Sequence, residues 1–219
     1  MQKAFAQPKC GRMYQKYRQH EFVMDDESYF TLSNTTLTGS NTYYSSDRRL
    51  TPTDVSYWEK AEFEEKILLW IVVSTKGIGQ VYIAPSKQAI NQHVYLEKCI
   101  KKRLVPFLRK YHSGGKYVFW PDLATSHYAN SVQNWLSENN ITVVAKADNP
   151  ANVPEVRPIE DLFAYIKRKV YRKGWSANNI HQLEQRIRST MRNFPNSVVQ
   201  KLMGSTIRRL DHVRRYGII

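Results

Sequence analysis

Residues 21–32 read EFVMDDESYFTL, and the organisation of the whole chain turns on how this stretch folds. Phe22, Met24, Asp26, Ser28 and Phe30 alternate with Val23, Asp25, Glu27 and Tyr29. That is the period of an extended strand, in which successive side chains point to opposite faces. Phe22, Met24 and Phe30 are apolar, so Asp26 shares the covered face, where a lone buried carboxylate is costly. Asp25 and Glu27 fall on the opposite face and are expected to be solvated, although a slip of one residue in register would exchange the two sets.

Working outward, 66–75 is a continuous apolar run rich in β-branched and aromatic residues, and after Lys76-Gly77 a second run follows at 80–84. Two paired strands are expected, the first buried on both faces. Residues 33–54, rich in Ser, Thr and Asn, read as loop, with a short irregular hairpin around Thr42–Ser45. A long helix is expected over 86–112, ended by Gly114-Gly115, then a strand at 116–120, a helix at 128–138 and an apolar strand at 141–145. Pro158 suits the first position of the next helix, whose apolar face is Ile159, Leu162, Phe163, Ile166 and Val170 and which Gly174 closes. Three strands, then helix, strand, helix, strand, helix define an α/β fold, a mixed five-stranded sheet with helices on both faces. The expected divisions are an N-terminal remnant or linker at 1–20, a catalytic α/β domain at 21–174 and a basic helical extension at 175–219. That extension holds one helix carrying Ile180, Leu183, Ile187 and Met191 and one more between Val199 and Val213.

The net charge of +14 over 219 residues points to a polyanionic partner, with a merely solvated basic surface as the alternative. Residues 156–219 hold 14 Lys and Arg against 4 Asp and Glu, so most of the excess lies there. Cys10 and Cys99 are far apart, and no Cys or His stands at metal-ligand spacing, which argues against a disulfide framework or a structural zinc. The longest apolar run, Ile67 to Val73, is far too short to span a bilayer, and the first twenty residues have no apolar signal core. A soluble intracellular protein without a membrane partner is expected.

Three acids stand where this chain order brings them together: Asp26 within the first strand, Asp122 just past the strand ending at Trp120, and Glu160 in the first turn of the helix begun by Pro158. Phosphodiester chemistry on two divalent ions needs carboxylate ligands of this kind, since Mg2+ binds through one or two carboxylates plus waters and phosphate oxygens. Each has an ordinary reading as well. Pro-Asp commonly starts a turn after a strand, and an acid in a first helical turn favours the helix dipole whatever else it does. By helical angle Glu160 lies at the margin of the apolar face and Asp161 points away from it.

Three blocks, FVMDDESYF at 22–30, VFWPDLATSH at 118–127 and PEVRPIEDLF at 154–163, resemble the signature blocks of the Tc/mariner superfamily of transposases. In that family a first Asp precedes Glu-Ser or Glu-Lys, a second Asp is followed five residues on by His, and the third acid lies in a Pro-Ile-Glu block. Asp26, Asp122 and Glu160 fall on those positions, and the thirty-seven residues 123–159 between the last two fit the family window. The resemblance implies a ribonuclease H-like DDE catalytic core in which Asp26, Asp122 and Glu160 bind two Mg2+ or Mn2+ ions. It implies cleavage of DNA at transposon ends and joining to target DNA, in the nucleus, by proteins that generally act as dimers. His127 matches a family position and is a candidate to support the metal ligands. Only 25 residues precede Asp26, so the family's N-terminal DNA-reading modules are not expected here, and the second block reads Pro-Asp-Leu where Gln-Asp-Asn or His-Asp-Asn is commoner.

Lys167, Arg168, Lys169, Arg172 and Lys173 follow Glu160 along its own helix, and Arg208, Arg209, Arg214 and Arg215 extend the series as candidate DNA contacts. A solvated helix face or a nuclear-import signal is the alternative. Trp120 and Trp135 are read as packing residues. Two rivals to the active enzyme stand beside it: a truncated or domesticated DNA-binding protein without catalysis, and a nuclease of the same fold acting on RNA-DNA hybrids.

Overall fold

The computed structural model describes residues 2–33, 65–84, 89–151 and 153–218. Strand β1 (Glu21–Thr31) lies at the centre of a mixed sheet. On one side it pairs antiparallel with β2 (Lys66–Ser74), Asp26 opposite Ile71, and on the other it runs parallel to β5 (Tyr117–Trp120), Met24 opposite Trp120. The two short strands β3 (Gly77–Ile78) and β4 (Tyr82–Ala84) both pair antiparallel with β2. The expected hairpin around Thr42–Ser45 lies outside the described residues.

Alternation along the strands builds two cores. Phe22, Met24 and Phe30 of β1, Ile67, Leu69, Ile71 and Val73 of β2, and Val118 and Trp120 of β5 face one side. Val23, Leu68, Trp70, Val72 and Phe119 face the other. Helices therefore cover both faces, as the order of elements requires.

The second face is covered by one helical rod: α2 (Gln92–Val94), a π-helical run Tyr95–Leu104, and α3 (Val105–Tyr111). Asn91 starts it, its side chain accepting from the backbone N–H groups of His93 and Val94 at 3.0 and 2.9 Å. The wider π turn brings the buried residues Tyr95, Cys99, Ile100 and Leu104 onto one face. Helix α4 (Asn130–Glu138) packs Val132 and Leu136 into the same core.

The first face carries α5 (Pro158–Val170), with Pro158 in its first turn as expected, then α6 (Ile180–Arg192), α7 (Asn196–Met203) and α8 (Thr206–Tyr216). The segment expected to hold one last helix holds two, broken at Gly204.

Two further expectations are corrected. Residues 141–145 do not form a strand: Val143 makes a single parallel bridge to Phe119, and the segment then turns away. Residues read as a linker form α1 (Gln2–Tyr17), a helix whose Ala6, Cys10, Met13 and Tyr17 join the first core and which packs along α8. Polar composition hid it, because the helix buries only one narrow stripe. Lys9 and Arg12 of α1 also reach the 147–149 loop: Lys9 Nζ donates to Asn149 O at 2.9 Å and Arg12 Nε to Asp148 Oδ1 at 2.9 Å.

The turn from β3 toward β4 brings Gly79 against both β2 and α3. Its N–H donates to Val72 O at 2.8 Å, and a Cβ there would stand 2.5 Å from Val72 Cγ1 and 3.1 Å from Phe107 Cδ2. Gly79→Ala is expected to overpack this contact and cost about 1–3 kcal/mol, read as a lower urea midpoint with an unchanged m-value.

Candidate active site

The parallel pairing of β1 with β5 decides the geometry. Met24 and Trp120 are partners across the ladder. Asp26, within β1, and Asp122, just past the end of β5, each follow two residues later and so stand level on neighbouring strands, which lie only about 4.8 Å apart. Helix α5 crosses the same face as Asp26 with Ile159, Leu162, Phe163 and Ile166 buried beneath it, so its first turn brings Glu160 to that end. Asp26 is buried, Asp122 half-buried and Glu160 exposed. A cavity of about 550 Å³ opens beside them, with Asp122, Arg157 and Glu160 in its wall.

The acids feel one another. Burial first, then the charges of Glu160 and Asp122, push the Asp26 carboxyl up to about 8, although the Arg157 guanidinium and the Glu27 N–H pull the other way. Arg157 Nη2 stands 3.9 Å from Asp26 Oδ2. Burial also opposes ionisation of Asp122, but His127, the Ala124 N–H and Arg157 outweigh it and hold this carboxyl below its ordinary value. Its Oδ1 accepts from Ala124 N at 2.9 Å and contacts His127 Nδ1 closely.

His127 is fully buried, its ring stacked on Tyr95 with centroids 3.9 Å apart and its Nε2 3.8 Å from Glu27 Oε2. Burial disfavours its cation, yet the bond to Asp122 and the charges of Asp25, Asp122 and Glu27 raise its pKa. The residue thus fixes Asp122 from behind, between two acids of β1.

Asp25 and Glu27 correct the sequence reading. Asp25 is completely buried; its Oδ2 accepts from Tyr95 Oη at 2.6 Å and from Trp70 Nε1 at 3.0 Å. Glu27 is half-buried, and burial raises its carboxyl to about 7. Both faces of a central strand are covered, so the face opposite Asp26 is no more solvated than its own. Asp25 is thereby a structural anchor for the π-helical run, and Asp26 keeps the position toward α5.

Carboxylates are the donor type that a hard divalent cation takes, and burial is the main reason that the Asp26 carboxyl is raised. Among the described residues, however, no three His, Cys, Asp or Glu side chains already converge at coordinating distance. The residues fit in type and charge, with exposed Glu160 the side chain freest to turn. Arg157 is the site residue that sequence reasoning missed; a lone Arg between apolar Val156 and Pro158 was the available signal.

The candidate DNA contacts divide. Arg168, Arg172 and Lys173 are exposed, while Lys167 and Lys169 lie partly over the rings of Phe30 and Tyr165. Arg208 is exposed. Arg209 is engaged by Ser205 Oγ, Glu155 O and Asp161 Oδ2, and Arg214 and Arg215 share Asp211. Trp120 is packing, as expected, its Nε1 donating to Asn149 Oδ1 at 2.8 Å.

A mixed sheet with an acid on its central strand, a second after the parallel neighbour and a third on the facing helix defines a ribonuclease H-like α/β protein. Among solved structures, the catalytic domain of Mos1 mariner transposase matches with a TM-score of 0.70, covering 98% of this chain and 92% of that one at 15% identity. The Mos1 paired end complex with Mn matches at 0.79, covering 98% of this chain and 62% of that one at 16% identity. In sequence the chain is 25% identical over 150 residues to the transposable element Tcb1 transposase of Caenorhabditis briggsae, spanning 67% of this chain and 50% of that protein. It is 26% identical over 149 residues to the Tc3 transposase of Caenorhabditis elegans, spanning 68% and 43%. The matched region is thus half or less of the length of these relatives. No protein-family model matches. The chain is a relative of the Tc1/mariner transposases and has the fold of a mariner transposase catalytic domain.

Two outcomes follow for the metal-free protein. Glu27 titrates at about 7 when folded against 4.5 ordinarily, and Asp26 at about 8 against 3.8. The folded state therefore binds protons that the unfolded chain has released, a contribution complete below the ordinary values and lost as pH rises through 7 to 8. Melting temperature is expected to fall from pH 5 to pH 8.5, and Glu27→Gln to flatten the part of that fall below pH 7. Tyr95→Phe removes a donor from buried Asp25 and is expected to cost about 1–3 kcal/mol in denaturant unfolding.

Proposed function

We propose that this chain is the catalytic part of a transposase-type enzyme that cleaves DNA and joins the freed strand to target DNA. In this reading Asp26, Asp122 and Glu160 are the catalytic carboxylates and hold two Mg2+ or Mn2+ ions. The observation that supports it is the placement of Asp26 and Asp122 level on adjacent parallel strands with Glu160 in the first turn of the facing helix, near enough for the charges of Glu160 and Asp122 to raise the Asp26 carboxyl. Mos1 complexes with transposon-end DNA, with Mg and with Mn supply the parallel.

Bound ions of this kind activate an oxygen nucleophile and neutralise the leaving oxygen. The chain's own residues do the rest. Asp26, walled in by the core, presents its carboxylate from a rigid strand. His127 holds Asp122 in one orientation, the supporting role that outer partners of metal ligands take. Exposed Arg168, Arg172 and Lys173, with Lys167 and Lys169, offer the phosphate backbone a cationic track leading away from Glu160. Arg208 extends it, whereas Arg209, Arg214 and Arg215 meet DNA only in competition with their present acidic partners. A homodimeric assembly and action in the nucleus complete the proposal.

The decisive measurement is nicking of duplex DNA by the purified chain with Mg2+ or Mn2+. Asp122→Asn is expected to lower the rate by more than roughly 100-fold, beyond the range typical of outer partners, and His127→Ala by about 10–100-fold. Unchanged cleavage by Asp122→Asn would sink the assignment. Salt-sensitive binding with no nicking in either metal would make the chain a non-catalytic DNA-binding module, and faster cutting of RNA-DNA hybrids would change its substrate. Replacing Lys167, Arg168 and Arg172 by Gln is expected to weaken binding evenly across sequences and to reduce the salt slope by about 1 per contact.

A further inference from the structure

Arg157 touches all three acid-bearing segments at once. Its Nη2 donates to Asp25 O at 2.9 Å, the carbonyl immediately before Asp26. Its Nη1 donates to Pro121 O at 3.2 Å, the carbonyl immediately before Asp122, and more weakly to Trp120 O at 3.5 Å. Its own carbonyl accepts from the backbone N–H of Glu160 at 3.1 Å. The residue is only 6% exposed, its guanidinium lies 5.6 Å from the Trp120 ring centroid, and it pairs with Asp26 Oδ2 at 3.9 Å.

Burying a guanidinium is expensive unless its donors are matched. Here the two terminal nitrogens of a planar fork meet carbonyls of β1 and of the end of β5, with only Nε unpartnered, a geometry that a lysine ammonium cannot copy. The carbonyls it takes lie where the β1–β5 ladder ends at Met24 and Trp120, and Pro121 O accepts from Asn149 Nδ2 as well. The same residue starts the helix that carries Glu160, so strand spacing and helix position are set at one point.

We propose that Arg157 is a positioning residue that fixes Asp26, Asp122 and Glu160 relative to one another through their adjoining backbone, and so sets the affinity of the site for divalent metal. This rests on the functional reading above. Position and charge make opposite demands, which separates them. By charge alone, a cation this close to Asp26 repels a metal ion, so removing it would tighten binding. By position, losing the fork loosens the acids and weakens binding.

The test is Mn2+ binding to the chain without DNA, read from the loss of the free-ion electron paramagnetic resonance signal, for wild type, Arg157→Lys and Arg157→Gln. Circular dichroism and melting of each variant accompany it. Both folded variants are expected to bind Mn2+ roughly 10-fold or more weakly, and nicking to lose kcat with little change in KM for DNA. Affinity within twofold of wild type in Arg157→Lys, or tighter binding in Arg157→Gln, overturns the proposal. Loss of fold in both variants also overturns it, since Arg157 would then be a general core residue. A wild-type chain that binds no Mn2+ overturns the functional reading itself, and the role of Arg157 with it. Wild-type binding with unchanged variants overturns the positioning role alone.

Discussion

Strand β1 is paired with β5 over its first half and with β2 over its second, and is covered on both faces, and each acid of the site is either part of it or held to it. Parallel pairing with β5 sets Asp122 level with Asp26, while antiparallel pairing with β2 brings Trp70 under Asp25. A strand in this position gives most of its polar side chains little solvent. Asp25, Asp26 and Glu27 must therefore be matched by protein groups, and the sequence around the site is largely a catalogue of those matches: Tyr95 and Trp70 for Asp25, Arg157 for Asp26, His127 for Glu27 and Asp122.

The matches are unequal, and the inequality is informative. Asp25 Oδ2 receives two hydrogen bonds from residues that do nothing else polar, although its Oδ1 is unpartnered and burial holds its carboxyl above the ordinary value. Asp26 receives one backbone N–H at 2.7 Å and an arginine at ion-pair rather than hydrogen-bond distance, and remains under-compensated. Raised carboxylates beside an open cavity are a setting found at functional sites, and they accompany the role proposed for Asp26.

Much of this was legible in the sequence. The alternation at 21–32 placed Asp26 with Phe22, Met24 and Phe30, and these do share a core. The apolar run at 66–75 became the doubly buried β2, and Pro158 opened α5. What failed did so for physical reasons. Alternation tells which residues share a face, not whether the other face is wet, so Asp25 and Glu27 were misplaced. The apolar segment 141–145 satisfies a strand pattern, yet it meets β5 only at Val143. The π turn breaks the 3.6-residue period, so Tyr95 was not singled out as a partner of the site. Arg157 acts through main-chain carbonyls, which are the same in every sequence, so its partners could not be read although its place between Val156 and Pro158 marked it.

Helix α1 does more than close the first core. Lys9 grips the carbonyl of Asn149, and the side chain of that asparagine donates to Pro121 O at 2.8 Å and accepts from Trp120. A strut of three contacts thus runs from the surface of the N-terminal helix to the peptide that carries Asp122. Sliding α1 along α8 by even a fraction of a helical turn would tug on the rim of the cavity, giving the end of the sheet beside it a mechanical handle well away from any of its acids.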